Sequence, residues 1–542
     1  MRYLLYILPL ITLSLSAIGQ TAFDYTISKP YPVVDAGEKL YFSNTAEEKA
    51  LSIKIDGKEV FLQTFDAKAM KEVKRNKYND LPKDFVFEHA TWFQDKLYFF
   101  YSLLEREKEP TKKMYAREID FDNSKFMDKG KLLFSIEGKE TDISKPLFGQ
   151  VSVETAGAFS FHLSKDKSKL LIQYRKAPKV RSDKSNYDVI GMYVFGTDLN
   201  LIAGNDIKMP YTEKKMDNVD YTVDSEGNPY LLAKVYKDDS TKDTKGKGEN
   251  RKANYFMELF KVDVGNKSIK TTKIEVKDNF IKDSWIYEGD ENTIYCAGFY
   301  NKMTGGFNRG DNADGLFLIR LNKDGGMADK NFYEIPLEVL NQYTKAGGKP
   351  VKEKKEKDDK AEFDYLELVE LVIQKDGSIL IIGEQSYLEV STSQRGVSYY
   401  TLHRNDMLIS KINPDGQLAW MKKLPKRQAG NINSKSLGFR RLSYDGVHYL
   451  FFVDNDKNLK LGLNERPARH IEGLGGFLTA YIINDQTGEV NKKMVLNPAK
   501  LKNGMEVYQL GLNRFVKTSD SSCFIEFYKK SKEDVFLKLN LK

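Results

Sequence analysis

The chain has 542 residues, with 85 Lys and Arg against 77 Asp and Glu, a net charge of +8. That length is too great for one ordinary compact core unless a unit repeats. So small a cationic excess, spread along the chain, excludes the concentrated basic element of a nucleic-acid reader.

The first 20 residues, MRYLLYILPLITLSLSAIGQ, have a short positive start at Arg2, an apolar stretch from Leu4 to Leu15, and small residues after it. This pattern predicts a secretory signal peptide at 1–20, cleaved near Gly19 or Gln20 and too short to be a membrane span. No Cys follows the apolar stretch, so no lipid anchor is expected, and no later segment is long and apolar enough to be a transmembrane segment. The expectation is an exported protein, periplasmic or associated with the outer envelope, with an extracellular location as the alternative.

Residues 21–542 are read as a single domain. Aromatic residues reach 12% of the chain and favour strands. One kind of segment returns eight times, with apolar residues on both faces: KLYFSN (39–44), KLYFFYS (96–102), KLLIQYR (169–175), PYLLAKVY (229–236), TIYCAGFY (293–300), SILIIGEQSY (378–387), HYLFFVDN (448–455) and SCFIEFYK (522–529). Such a strand belongs inside a sheet that is covered on both sides. A weaker strand and a tight turn, as in LVIQKDGS and LSYDGVH, precede most copies, and a third strand follows each. A fourth leads outward, as in QLAWMKKLP (417–425).

A lone four-stranded sheet cannot bury both faces, whereas sheets stacked around an axis can. The prediction is an all-β fold, a β-propeller of eight four-stranded blades, with seven as the alternative if the first or second unit folds otherwise. An array of sandwich domains would show similar strand spacing. The last unit stops at VFLKLNLK, one strand short, while AFDYTISKPY (22–31) alternates ahead of the first full unit. That N-terminal strand is expected to complete the last blade and close the ring, removing an exposed edge.

Turns between strands one and two, and between three and four, are short. Connections between strands two and three and between blades are long, and all emerge on one face, where function usually sits. Long loops fall at 237–254 and 336–362, and the Lys- and acid-rich stretch at 344–362 is too polar to order itself. The loops 388–406 and 456–476 carry apolar and basic residues and belong to neighbouring blades. Arg395, His403, Arg404, Arg466, Arg469 and His470 are therefore the candidate binding residues, able to hold an anion, a carboxylate or an acidic patch through guanidinium hydrogen bonds. The plainer and preferred reading pairs these arginines with local acids such as Glu465 and Asp406.

No catalytic or metal-binding motif emerges. The five His lack zinc-ligand spacing, and His89, His162 and His448 flank apolar strands as structural residues would. NRGDNADG (308–315) lacks the Glu and the spacing of a calcium loop. Cys296 and Cys523 lie in apolar strands three blades apart and are read as buried thiols. No cofactor is expected.

INPDGQLAW (412–420) resembles the turn-and-Trp signature of secreted bacterial β-propeller repeat proteins, and INDQTGEV (483–490) is a fainter echo. The resemblance concerns the fold alone and implies that Trp420 packs between blades. It departs from the sialidase box, since Ile412 or Asn413 stands where Ser is needed. The functional expectation is a non-enzymatic propeller of the cell envelope that binds a protein partner on its long-loop face. A glycan- or small-ligand-binding module and a carbohydrate- or peptide-active hydrolase are the alternatives.

Overall fold

The computed structural model describes residues 23–541 apart from 106–110, 138–139, 142–158, 178–184, 247–251, 277–278, 291, 303–311, 343–362, 433, 435, 474 and 502–503. The expected signal peptide, the polar stretch at 344–362 and the NRGD half of NRGDNADG lie outside these residues.

Strand alternation builds eight antiparallel sheets in chain order. Blade 1 comprises Glu38–Asn44, Lys49–Asp56, Glu59–Asp66 and Lys71–Tyr78. Blade 6 comprises Leu366–Ile373, Ile379–Thr392, Ser398–Ile412 and Leu418–Leu424. Blade 7 comprises Arg440–Tyr444, Val447–Asp454, Phe477–Asn484 and Val490–Leu496. Blade 8 takes three strands from the C-terminal end, Gln509–Ser519, Ser522–Lys529 and Glu533–Leu541. Its fourth strand is Phe23–Ile27, which pairs antiparallel with the last one from Phe23↔Leu541 to Ile27↔Leu537. The expected closure of the last blade by the N-terminal strand therefore forms.

The apolar side chains sort into eight cores, each shared by two successive blades. They run from blades 1 and 2, through each following pair, to blades 7 and 8. The last core joins blade 8 to blade 1 through Tyr31, Ala50, Phe65, Phe524 and Phe536. Cores in cyclic order are what distinguish a propeller from a row of sandwiches, because every sheet buries both faces against its neighbours. Cys296 and Cys523 are free and buried in separate cores.

Two expectations need correction. KLYFSN is the first strand of blade 1, and KALSIKID is the second. The residues of KLYFSN are half-buried rather than sandwiched. Connections between blades are expected to be long loops, yet the segment 66–82 that leaves blade 1 contains the strand Lys71–Tyr78, paired to Glu59–Asp66. That strand, KEVKRNKY, is the blade's water-facing outer edge. Charged residues suit such an edge because they discourage pairing with another chain, and they hide the strand from an apolar-pattern search.

Trp420 lies in the core between blades 6 and 7, and its indole Nε1 donates to the Asp485 carbonyl at 2.9 Å. Gly488, at φ +66°, passes so close that a Cβ there would meet the indole at 2.6 Å. The Trp of one repeat thus packs on the turn of the next.

Candidate functional site

The loop at 388–406 is not a loop. The second and third strands of blade 6 continue past the ring as a projecting hairpin, paired from Leu388↔Leu402 to Thr392↔Ser398 and turned at 393–397, where Gly396 takes φ +77°. Four large apolar side chains of this hairpin face water: Val390 54%, Val397 52%, Tyr399 58% and Tyr400 48% exposed. The hairpin is backed by a short strand, Gln428–Asn431, on Thr401 to Arg404, which pairs in parallel with His470–Ile471 from blade 7. A small sheet therefore rises from the long-loop face at the junction of blades 6 and 7.

This sheet separates the six predicted residues. Arg395 is exposed at the hairpin tip. His403 is buried, stacked on Tyr387 with ring centroids 4.5 Å apart, and its Nε2 bonds to Glu389 Oε2 at 2.8 Å. Its Nδ1 is buried with no hydrogen-bond partner among the described residues. Arg404 belongs to another cluster, 3.4 Å from Glu384 and 3.6 Å from Glu367. The buried ammonium of Lys426 completes this cluster, 2.8 Å from Glu384. The local-acid reading therefore holds for Arg404, with Glu384 and Glu367 as the acids. His470 is buried, held by its backbone to the Arg427 carbonyl at 2.8 Å. Arg469 is half-buried and Arg466 exposed.

Side-chain alternation across the small sheet puts Tyr387, His403 and Ala429 on one face, with Arg427 and Arg469 flanking the short strands on that side. The electrostatics agree. Burial lowers the His403 pKa, and the Arg469 and Arg427 charges push it the same way against Glu389. Burial also lowers that of Arg427, helped by the repulsion of Arg466 and Arg469. Among the described residues, none of Arg427, Arg466 and Arg469 has an acidic ion-pair partner, and the Nε of Arg469 is buried without a hydrogen bond. Sequence reasoning missed Arg427, which follows the outer strand of blade 6 in LPKRQAG, because the search was confined to the long loops.

Glu367 was also missed. Its pKa is pushed up to about 8 by burial, against the pull of Arg404 and Ser386 and with help from Asp283 and Glu384. An acid inside the inner-strand run YLELVELV was the available signal. A carboxyl whose folded pKa lies above its unfolded value stabilises the fold fully below the unfolded value, near 4.5, and that contribution is lost as pH rises through about 8. Thermal melts from pH 4 to 9 should fall by several degrees across this window in the wild type. Glu367→Gln should flatten the fall, and an unchanged slope would remove Glu367 as its cause.

A second feature of the same face is a cleft of about 690 Å³ between blades 3 and 4, walled by Tyr187, Tyr211, Tyr236 and Phe256 with Lys215 and Lys237 at its edge. On the short-turn face, His448 bridges Ser443 Oγ at 2.8 Å and Asp485 Oδ1 at 2.7 Å. The residue types are those of a hydrolytic triad. Here Asp485 is engaged by Lys411 and Gln374, and Ser443 by Arg441. The arrangement joins the blade 7 turn to blade 6, which makes His448 structural as expected. His89, stacked on Phe161 at 4.7 Å, has its pKa lowered to about 4 by burial and is likewise packed.

No protein-family model matches the chain, and no curated protein matches it. Solved structures similar to it include a WD40 domain and a propeller. The WD40 domain of SCAP from fission yeast is 7% identical, with a TM-score of 0.39, and the match covers 96% of this chain and 99% of that one. The Dos1 propeller is 9% identical at a TM-score of 0.33, with 95% and 94% covered. Prolyl oligopeptidase B from Galerina marginata is 11% identical at 0.37, and the match covers 94% of this chain but only 55% of that enzyme. At these identities and scores the propeller assignment rests on the sheet order and the cyclic cores.

Proposed function

We propose that the protein is an exported interaction propeller of the cell envelope that receives a protein partner on its long-loop face. The observation that carries this reading is the hairpin of blade 6. It is a rigid, strand-paired projection, and it holds Val390, Val397, Tyr399 and Tyr400 in water. Apolar side chains clustered on one element, instead of scattered singly, mark an interaction surface, and aromatic anchors lose little entropy when they are covered. Export rests on the signal-peptide pattern of the first 20 residues. Among the described residues no helix is long and apolar enough to cross a membrane.

The test is capture of a partner by the tagged protein from gently extracted native envelopes. Val390→Asp with Tyr399→Ser should abolish capture and leave the melting temperature unchanged. Equal capture by the variant, or a wild-type protein that runs alone as a monomer, would sink the reading.

The cleft between blades 3 and 4 favours a second reading, a glycan- or small-ligand-binding module. Aromatic walls with a few polar groups at the edge suit the stacking of a sugar or a similar ring, as ligand clefts generally do.

A further inference from the structure

We infer that the partner surface includes a recognition site for an acidic peptide segment, formed by Arg427, Arg466 and Arg469 beside His403. This rests on the interaction reading above and specifies its chemistry.

Three observations converge. First, the backbone brings Arg427 and Arg469 side by side, because His470 N bonds to the Arg427 carbonyl at 2.8 Å where two parallel strands begin. Arg466 lies three residues before Arg469, on the exposed approach to it. Second, these cations lack acidic partners among the described residues, although acids are close. Glu389 is engaged by His403, Glu472 by Ser434 and Ser436, and Glu465 accepts from the Gly462 backbone. Holding like charges together has a cost that a local acid could have relieved. Third, two buried polar atoms at the site have no hydrogen-bond partner, Arg469 Nε and His403 Nδ1. His403 is only 1% exposed, and buried polar groups left without a protein partner are rare enough to need an explanation.

The ligand class follows from the donors. Guanidinium forks match carboxylates, and a carboxylate bound to one is held by charge-assisted bonds. The exposed Tyr399 and Ile471 share the sheet face with the cations, so the same ligand must also offer apolar surface. A protein segment of alternating acidic and apolar residues has both properties, whereas free phosphate has only the first and a uronic-acid chain offers ring faces to Tyr399 but no apolar side chains to Ile471.

The experiment measures fluorescence anisotropy of a labelled 12-residue peptide in which Glu alternates with Val and Tyr, using the full protein. The acidic peptide should bind, and replacing its Glu by Gln should weaken binding at least tenfold. Arg466→Gln with Arg469→Gln should also weaken it at least tenfold, and Arg466→Glu alone, on an exposed side chain that folding does not need, should do so as well. Lys58→Gln, an exposed cation on blade 1, controls for net charge and should change nothing. Equal binding by the Gln peptide, or by the arginine variants, would overturn the inference. So would binding of inorganic phosphate or oligogalacturonate without binding of the peptide. Loss of partner capture in the hairpin variant, together with unchanged peptide binding in the arginine variants, would retain the interaction reading and reject this site.

Discussion

Lys54→Met destabilises the folded chain by about 3–5 kcal/mol, the range for removing one partner of a buried ion pair. Lys54, Glu526 and Asp534 are all fully buried where blade 8 meets blade 1. The Lys54 ammonium is 2.9 Å from Glu526 and 3.6 Å from Asp534. Glu526 also accepts hydrogen bonds from Tyr31 at 2.8 Å and from Tyr41. The seam is the smallest of the eight cores, with five buried apolar side chains, so its polar contacts carry more of the closure. Without the ammonium, two carboxyl groups face one another in a dry site. The pKa of Asp534 already stands at about 6, raised by burial first and by Glu526 second. A raised carboxyl pKa means that stability is lost as pH rises through that value, so the deficit of the variant should grow between pH 5 and 8. Urea unfolding at both pH values measures it. Amide exchange should rise most at 23–32, since Tyr31 ties the N-terminal strand to Glu526. Lys54→Met combined with Glu526→Leu should recover more than half of the loss, because an apolar pair replaces an uncompensated charge. A single variant within about 1 kcal/mol of wild type would show that the seam does not depend on this cluster.

Asp485→Ala is expected to cost about 3–5 kcal/mol as well, at the junction of blades 6 and 7. The carboxylate receives Lys411, Gln374 and His448, and its backbone carbonyl receives the Trp420 indole. These contacts hold its pKa below the usual carboxylate range in spite of burial, with the Lys411 ammonium the largest pull against desolvation. Removal strands a lysine that is only 7% exposed and a buried histidine, and loosens the turn on which Trp420 packs. Asp485→Asn keeps the shape and some hydrogen bonds, and should lose less than Ala. Equal losses in the two variants would assign the effect to packing and not to charge. Hydrogen exchange should increase on the facing strands of both blades, and an effect confined to the blade 7 turn would contradict the role of Asp485 as an inter-blade tie.

These two clusters also mark the limit of what was legible in the chain. The repeat was readable because a strand buried on both faces has a local signature, a short two-sided apolar run after a tight turn. The outer strand Lys71–Tyr78 lacks that signature because only one side meets protein. The shift by one strand in blade 1 has the same origin, since half-buried KLYFSN resembles a sandwiched strand in composition. At the candidate site, all six proposed residues sit on or beside the small raised sheet, with His403, Arg404 and His470 in its paired strands. The Arg404 side chain departs because it alternates with His403 along the strand and so lies on the other face, towards Glu384. That alternation is legible only once 388–406 is known to be paired strand, and its polar composition reads as a loop.

The amino-acid order alone determined the all-β class, the eight units, their tight turns and the closure of the last blade by residues near the start. Each of these depends on neighbours within a few residues or on the count of copies. Only the tertiary structure decided which charges are neutralised and which are left over. Lys54 meets Glu526 across 472 residues, and Arg427 meets Arg469 across two blades. Electrostatic partners in a propeller are chosen by sheets brought face to face, and that proximity has no trace in local sequence.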